Sequence, residues 1–196
     1  MWDKRYAEEE LAYGCEPNDF LCEVAGQLPE GPALCLAEGQ GRNAVFLARG
    51  GRSVTAVDLS PVGLERAAQL AAEAGVSLET EIADLAHFEI APVAWSVVVS
   101  IWAHVPSEVR RGLHRRVVSG LRPGGVLVLE AYTPDQIGRG TGGPPNPDFT
   151  MTLAGLREEL AGLEFEIARE RVRTVHEGRY HNGESAVVQV LARKPS

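Results

Sequence analysis

The stretch Ala33-Leu34-Cys35-Leu36-Ala37-Glu38-Gly39-Gln40-Gly41-Arg42-Asn43-Ala44-Val45-Phe46-Leu47-Ala48-Arg49 decides the fold. Its first five residues are apolar and too few for a helix of their own, so Ala33–Ala37 reads as a buried strand. The strand runs into a glycine turn, and a helical pattern opens at Arg42. In an open parallel sheet this junction lies beyond the carboxyl ends of the strands, where ligands bind. Seventeen residues after Gly41, Asp58 closes a second strand, Ser53–Val57. A carboxylate there can accept both hydroxyls of a ribose, so turn and acid together point to a nucleoside-cofactor site.

The same alternation continues outward. Strands are expected at Ser77–Ile82, Ala94–Ser100 and Gly125–Ala131, and helices at Arg42–Arg49, Pro61–Ala74 and Pro106–Leu121. Ser60-Pro61 reads as an N-cap followed by proline at the first helical position. Val105, Val109, Leu113, Val117 and Leu121 recur every fourth residue and would pack that helix on a sheet. Near-continuous apolar strands joined by helices argue for a mostly parallel sheet covered on both faces. Residues 2–28 hold two expected helices split around Gly14–Pro17, and form a cap (1–28) on a single domain (29–196). A Gly- and Pro-rich loop over 133–150 reads as a lid over the substrate or as a disordered connection. A short helix, Leu153–Leu163, precedes two strands near Phe165–Val175 and Ser185–Ala192 that read as a hairpin.

Composition narrows the partners. The 196 residues are 44% hydrophobic and 23% charged, the balance of a globular protein. Acidic residues outnumber basic ones for a net charge of −8, which disfavours binding along a phosphate backbone. The run Arg110, Arg111, His114, Arg115, Arg116 reads as the solvated face of its helix. Three cysteines without CxxC spacing suit neither a disulfide scaffold nor a zinc site, and the spacing of His104, His176 and His181 matches no zinc pattern, so no metal is expected. The N-terminal residues carry no apolar signal core and no run approaches a membrane span, so the expected setting is the cytoplasm.

Two cofactors fit the turn. Gly39-x-Gly41-x-x-Ala44 satisfies a dinucleotide fingerprint, which keeps an NAD(P)-linked oxidoreductase open. S-adenosylmethionine is the other, and three further stretches favour it: Ala83-Asp84-Leu85, Ser100-Ile101-Trp102 and Leu121-Arg122-Pro123-Gly124-Gly125-Val126-Leu127. In this order the four stretches resemble the class I S-adenosylmethionine-dependent methyltransferases. The chain is most similar to their tellurite-resistance-type and thiopurine-type small-molecule members, through Trp2-Asp3-x-Arg5-Tyr6, Tyr13-Gly14-x-x-Pro17-Asn18-Asp19-Phe20, Gly39-x-Gly41-Arg42-Asn43-Ala44 and Thr141-Gly142-Gly143-Pro144.

The resemblance implies a Rossmann-like α/β fold, a seven-stranded mostly parallel sheet with an antiparallel C-terminal hairpin and helices on both faces. It implies that Gly39 and Gly41 flank the methionine part of S-adenosyl-L-methionine, that Asp58 holds the ribose with Leu59 beside the adenine, and that Asp84 and Leu85 meet the adenine edge. Ser100 would sit near the methionine amino group, and Trp2, Tyr6 and Tyr13 would cover the cofactor. Cys35 and Ala37 stand where the family usually has Asp and Gly; Glu38 is the candidate to compensate. These departures keep a third reading open, a binder that retains the cofactor fold without catalysis. The Asn/Asp-Pro-Pro-aromatic motif of nucleic-acid amine methyltransferases does not occur after the fourth strand. The expected partner is therefore a small molecule, without nucleic acid or membrane, on a monomer or homodimer.

Methyl transfer is an in-line displacement that asks chiefly for alignment and exclusion of water. A soft sulfur, selenium or tellurium nucleophile needs no base, whereas a hydroxyl or protonated amine does. His104, Tyr132 and His181 lie on the loops above the strand ends and are the candidate bases. His104 could equally cap the following helix, and His176 and His181 could be solvated turn residues. Trp2 and Trp102 are expected to line the cleft.

Overall fold

A computed structural model describes residues 2–8 and 10–196. Strands β1 (Ala33–Leu36), β2 (Val54–Asp58), β3 (Glu79–Ile82), β4 (Trp95–Ile101), β5 (Leu121–Tyr132), β6 (Glu164–Glu177) and β7 (His181–Arg193) form one sheet. Its order is β3-β2-β1-β4-β5-β7-β6, with the first five strands parallel and β7 antiparallel to both neighbours. This is the seven-stranded arrangement implied by the resemblance. It also differs from the all-parallel 3-2-1-4-5-6 order of dinucleotide-binding folds, because β7 inserts between β5 and β6.

Alternation along the strands separates two cores. Leu34, Leu36, Val98, Leu127 and Leu129 face α5 (Ser107–Gly120) and α6 (Leu153–Glu159), packing with Leu113, Val117, Leu156 and Leu160. Ala33, Cys35, Val97, Val99 and Val128 face α2 (Asp19–Val24), α3 (Arg42–Arg49) and α4 (Pro61–Glu73) through Phe20, Leu21, Leu47 and Leu64. Burial of both faces is why the central strands read as continuous apolar runs. Ser60 caps α4 as expected, its hydroxyl accepting from the Gly63 amide at 3.1 Å. The N-terminal α1 is only Trp2–Tyr6, and the described residues between it and α2 are irregular.

Several boundaries differ. Pairing of β5 begins at Leu121 rather than Gly125, with a register shift between Trp95↔Leu121 and Val97↔Val126 that absorbs the glycine turn. Helix α6 stops at Glu159, four residues early. The hairpin strands are longer than their apolar runs, pairing out to Glu177↔His181.

The basic run on α5 is only partly a solvated face. Arg110 and His114, one turn apart, both turn inward onto Glu159, at 2.9 and 2.7 Å. Burial would raise the Glu159 carboxyl, but its bonds to His114 and Arg110 outweigh it and hold it at about 2. Arg110 also donates to the carbonyls of Asp148 and Thr150, fastening the end of the 133–150 loop. No helix of the described residues is long and apolar enough to cross a membrane.

Candidate active site

Three elements converge beyond the carboxyl ends of β1, β2 and β4. At β2, Asp58 accepts from the Gly39 and Ser60 amides, both at 2.8 Å, so the acid that closes the second strand also fixes the glycine turn. Burial raises its carboxyl above the ordinary value against the pull of those amides. Beside it, Leu59 and Ile82 are 57% and 61% exposed, an unusual state for large apolar residues at the ends of adjacent strands. Asp84, exposed after β3, has one carboxylate oxygen on the Ala86 amide and the other outside that bond. Apolar Leu59 and Ile82 flanked by two carboxylate acceptors fit the faces and hydroxyls of an adenosine. Ile82 was not singled out from sequence; as the register partner of Asp58 it could have been. Leu85 sits differently from the expectation: its side chain lies in the core under α5, and its carbonyl accepts from Arg116 at 2.6 Å. Ser100 is buried between Leu36 and Leu129 in the sheet.

The glycine turn is covered by the N-terminal segment. Tyr6 packs on Gly39 and Gly63, Trp2 stacks on Tyr6 with ring centroids 5.9 Å apart, and Asp3 accepts from the Ser60 hydroxyl. Gly41 ends the turn as the first cap of α3. Because glycine offers no side-chain cap, the exposed amides of α3 need another acceptor. Glu38 supplies it: one carboxylate oxygen accepts from the Asn43 and Ala44 amides at 2.9 and 2.8 Å. Glu38 thus caps the helix in place of a side chain at Gly41. Burial pushes its carboxyl up to about 7 despite those bonds and Arg42, and the same burial raises the neighbouring Cys35 thiol well above its usual range.

On the β4–β5–β7 side the rings gather. Trp102 stacks on Tyr132 at 4.4 Å, His104 stacks on Tyr132 at 5.4 Å, and His181 meets Trp102 and Tyr132 edge-on at 5.0 and 5.3 Å. Tyr13, whose hydroxyl accepts from Arg5, closes on His181 at 4.6 Å. The structure therefore brings Tyr132 and His181 together, joined by Trp102 and Tyr13. His104 caps no helix: its Nδ1 donates to the Phe149 carbonyl at 2.8 Å, holding the loop. His181 is 7% exposed rather than solvated, and its Nδ1 meets no hydrogen-bond partner among the described residues. His176 is exposed.

Burial sets the protonation states. It lowers His104 to about 4 and His181 to about 3, so both stay neutral near neutral pH. It raises the Tyr132 phenol well above its usual range, with Glu177 adding to the effect, so that phenol keeps its proton. Neither ring therefore titrates near neutral pH, which weakens both as candidate bases.

Beneath the rings lies a charged network missed from sequence. Glu130 accepts from Asn18, Arg173 and Gln189, and Glu177 accepts from Asn18, Arg42, Arg173 and Trp102. The 133–150 loop is pinned over this side by Gln136, Thr141 and Arg110. Among the described residues no group of three or more His, Cys, Asp or Glu is placed to hold a metal ion.

Residues 33–125 match the family model described as a methyltransferase domain. Over these residues the chain is similar to methyltransferase domains. A curated relative, the carboxy-S-adenosyl-L-methionine synthase of Chromohalobacter salexigens, is 34% identical over 131 residues, covering 63% of this chain and 42% of that protein. The chain thus spans less than half the length of that relative. The domain's fold is shared with TehB from Haemophilus influenzae (TM-score 0.74, 19% identity, 90% of this chain and 62% of that one). It is likewise shared with the N-methyltransferase NodS from Bradyrhizobium japonicum, solved with S-adenosyl-L-homocysteine (TM-score 0.73, 16% identity, 100% and 97%). The match over residues 33–125 and the antiparallel β7 favour the methyltransferase reading over the nicotinamide one.

Proposed function

We propose that the chain is an S-adenosyl-L-methionine-dependent methyltransferase whose acceptor is a small molecule with a soft nucleophile, a sulfur, selenium or tellurium anion. The exposed apolar pair Leu59 and Ile82 between Asp58 and Asp84, inside a methyltransferase domain, carries the cofactor part of this reading. Asp58 would take the ribose hydroxyls and Asp84 the adenine amino group. Gly39 and Gly41 would lie along the methionine part, with Ser100 near its amino group. Trp2, Tyr6 and Tyr13 would shield it, and Glu38 would hold the turn. When bound, S-adenosyl-L-methionine supplies an electrophilic methyl on a sulfonium.

The acceptor part rests on protonation. Neutral His181 and His104 and a protonated Tyr132 are weak bases, so the pocket favours an acceptor that is already anionic or carries a free lone pair. Tyr132 and His181 would orient the acceptor and exclude water, while His104 positions the loop that covers it. The reading includes a cytoplasmic monomer or homodimer that takes no nucleic acid, consistent with the charge of −8.

Calorimetric titration with S-adenosyl-L-homocysteine and with NADH tests the cofactor. Binding of the first at micromolar dissociation constants is expected, and NADH binding without any response to the first would overturn it. Release of S-adenosyl-L-homocysteine is then measured with dithiothreitol, selenite and tellurite against amines and phenols. Turnover confined to amines and phenols would overturn the soft-acceptor assignment, and cofactor binding without turnover on any panel member would favour the non-catalytic binder.

A further inference from the structure

We infer that Glu177 is a positioning residue that couples the cofactor turn to the aromatic wall of the acceptor site, an inference that rests on the methyltransferase reading above. One carboxylate oxygen of Glu177 accepts from two groups at once: Arg42 Nη2 and Trp102 Nε1, each at 2.5 Å. Arg42 is the first residue of α3, directly after Gly41 of the cofactor turn. Trp102 follows β4 and presents its ring to Tyr132 and His181. The other Glu177 oxygen is held by Asn18 at 2.7 Å and Arg173 at 3.2 Å, and the residue is 4% exposed.

A buried carboxylate needs several donors for its two oxygens, and here two of them come from opposite sides of the site. Sharing one oxygen between a cofactor-side guanidinium and an acceptor-side indole makes their positions interdependent, since displacing Arg42 shifts the atom that holds the indole. Trp102 has reason to need such a hold. Its φ is +57°, a left-handed backbone that costs on the order of 1–3 kcal/mol for a non-glycine residue and persists only when the surroundings enforce it. The enforcing contacts are the Glu177 bond to its indole, the Tyr132 stack, and its amide donating to the Glu130 carbonyl at 2.9 Å. Burial alone would raise the Glu177 carboxyl; Arg42, Trp102 and Arg173 hold it below the ordinary range, so it stays an acceptor for both donors near neutral pH.

The test uses Trp102 as its own reporter. The chain has three tryptophans; Trp95→Phe removes the core indole, and subtracting the emission of Trp95→Phe with Trp102→Phe isolates the Trp102 signal while Trp2 stays in place. In this background S-adenosyl-L-homocysteine is titrated by calorimetry and by tryptophan emission. Binding accompanied by an emission change that follows the calorimetric isotherm is expected. Glu177→Gln, which keeps the size but offers a single acceptor oxygen and adds an NH2, should still bind within about tenfold of the parent and lose the emission response. Glu177→Asp, which retains the charge but falls a methylene short of reaching both donors, provides the same comparison if the glutamine variant does not fold. An emission response that survives in either folded variant would overturn the coupling, as would parental binding with a silent Trp102. Absence of calorimetric binding in the full-length parent would instead remove the cofactor reading itself.

Discussion

The hydroxyl of Tyr6 occupies the space into which any side chain at Gly39 would project: an ideal Cβ there would fall 2.6 Å from it, and the Gly39 backbone is left-handed with φ +61°. Gly39→Ala should therefore both strain the turn and push Tyr6 off it. Binding of S-adenosyl-L-homocysteine is expected to weaken about tenfold or more, about 1.4 kcal/mol or above. Because the two effects share one contact, Gly39→Ala with Tyr6→Ala should bind more tightly than the sum of the single losses. Strict additivity by calorimetry would refute the contact.

The Gly39 and Ser60 amides sit on different oxygens of Asp58, so Asp58→Asn leaves an acceptor for only one of them and removes the charge. Affinity for S-adenosyl-L-homocysteine should fall roughly tenfold, the value of a charge-assisted pair of bonds to ribose. An unchanged dissociation constant with an intact fold would remove the ribose role.

Stability should respond to pH through opposed groups. Glu38 titrates at about 7 in the fold against an ordinary 4.5, so its ionisation is disfavoured; its contribution is greatest below pH 4.5 and declines as pH rises to about 7. The shift corresponds to on the order of 3 kcal/mol. Glu38→Gln, which keeps an acceptor for α3, should gain on the parent between pH 5 and about 8 in thermal melts. His181, lowered from 6.5 to about 3, contributes fully above pH 6.5 and loses its contribution as pH falls toward 3. His181→Gln should narrow the parent's loss of melting temperature on acidification. A pH-independent offset for either variant would contradict the corresponding burial.

Gly142 has φ +121°, and a Cβ there would fall 2.6 Å from the Tyr180 carbonyl and 2.9 Å from both the Tyr132 hydroxyl and His181. Gly142→Ala should lift the loop from these residues while the Arg110 anchor remains. Trypsin cleavage after Arg139 is expected to accelerate with a fall of only a few degrees in melting temperature. Unchanged cleavage would show that the loop does not depend on this approach.

The parallel core, the glycine turn, Asp58 and the terminal hairpin were legible because each rests on local pattern. Strand cores buried on both faces read as apolar runs, and the hairpin as two such runs with a break. The charged network was not legible, because Arg173 and Glu177 lie on β6, an edge strand whose alternation suits solvent, and the partners Asn18 and Arg42 are more than a hundred residues away from Glu130 and Glu177. Glu130 did carry a signal: it interrupts the run Val126-Leu127-Val128-Leu129, and a carboxylate in such a strand requires partners. Arg110 and His114 likewise share the face of Leu113 and Val117, which places them inward.

The turn between β6 and β7 rests on the segment around Tyr13: the Arg179 amide donates to the Ala12 carbonyl at 3.1 Å, and Tyr180 donates to Glu8 at 2.8 Å. The segment proposed to cover the cofactor thus meets supports far along the chain, Tyr180 lying 172 residues after Glu8. The central sheet can condense as it emerges, whereas the pocket closes only once these opposite stretches find each other, the kind of distant pairing that is slow to form. A nascent or C-terminally shortened chain would therefore leave the segment around Tyr13 without these supports, so that the cover proposed for the cofactor is completed only after the last hairpin has formed.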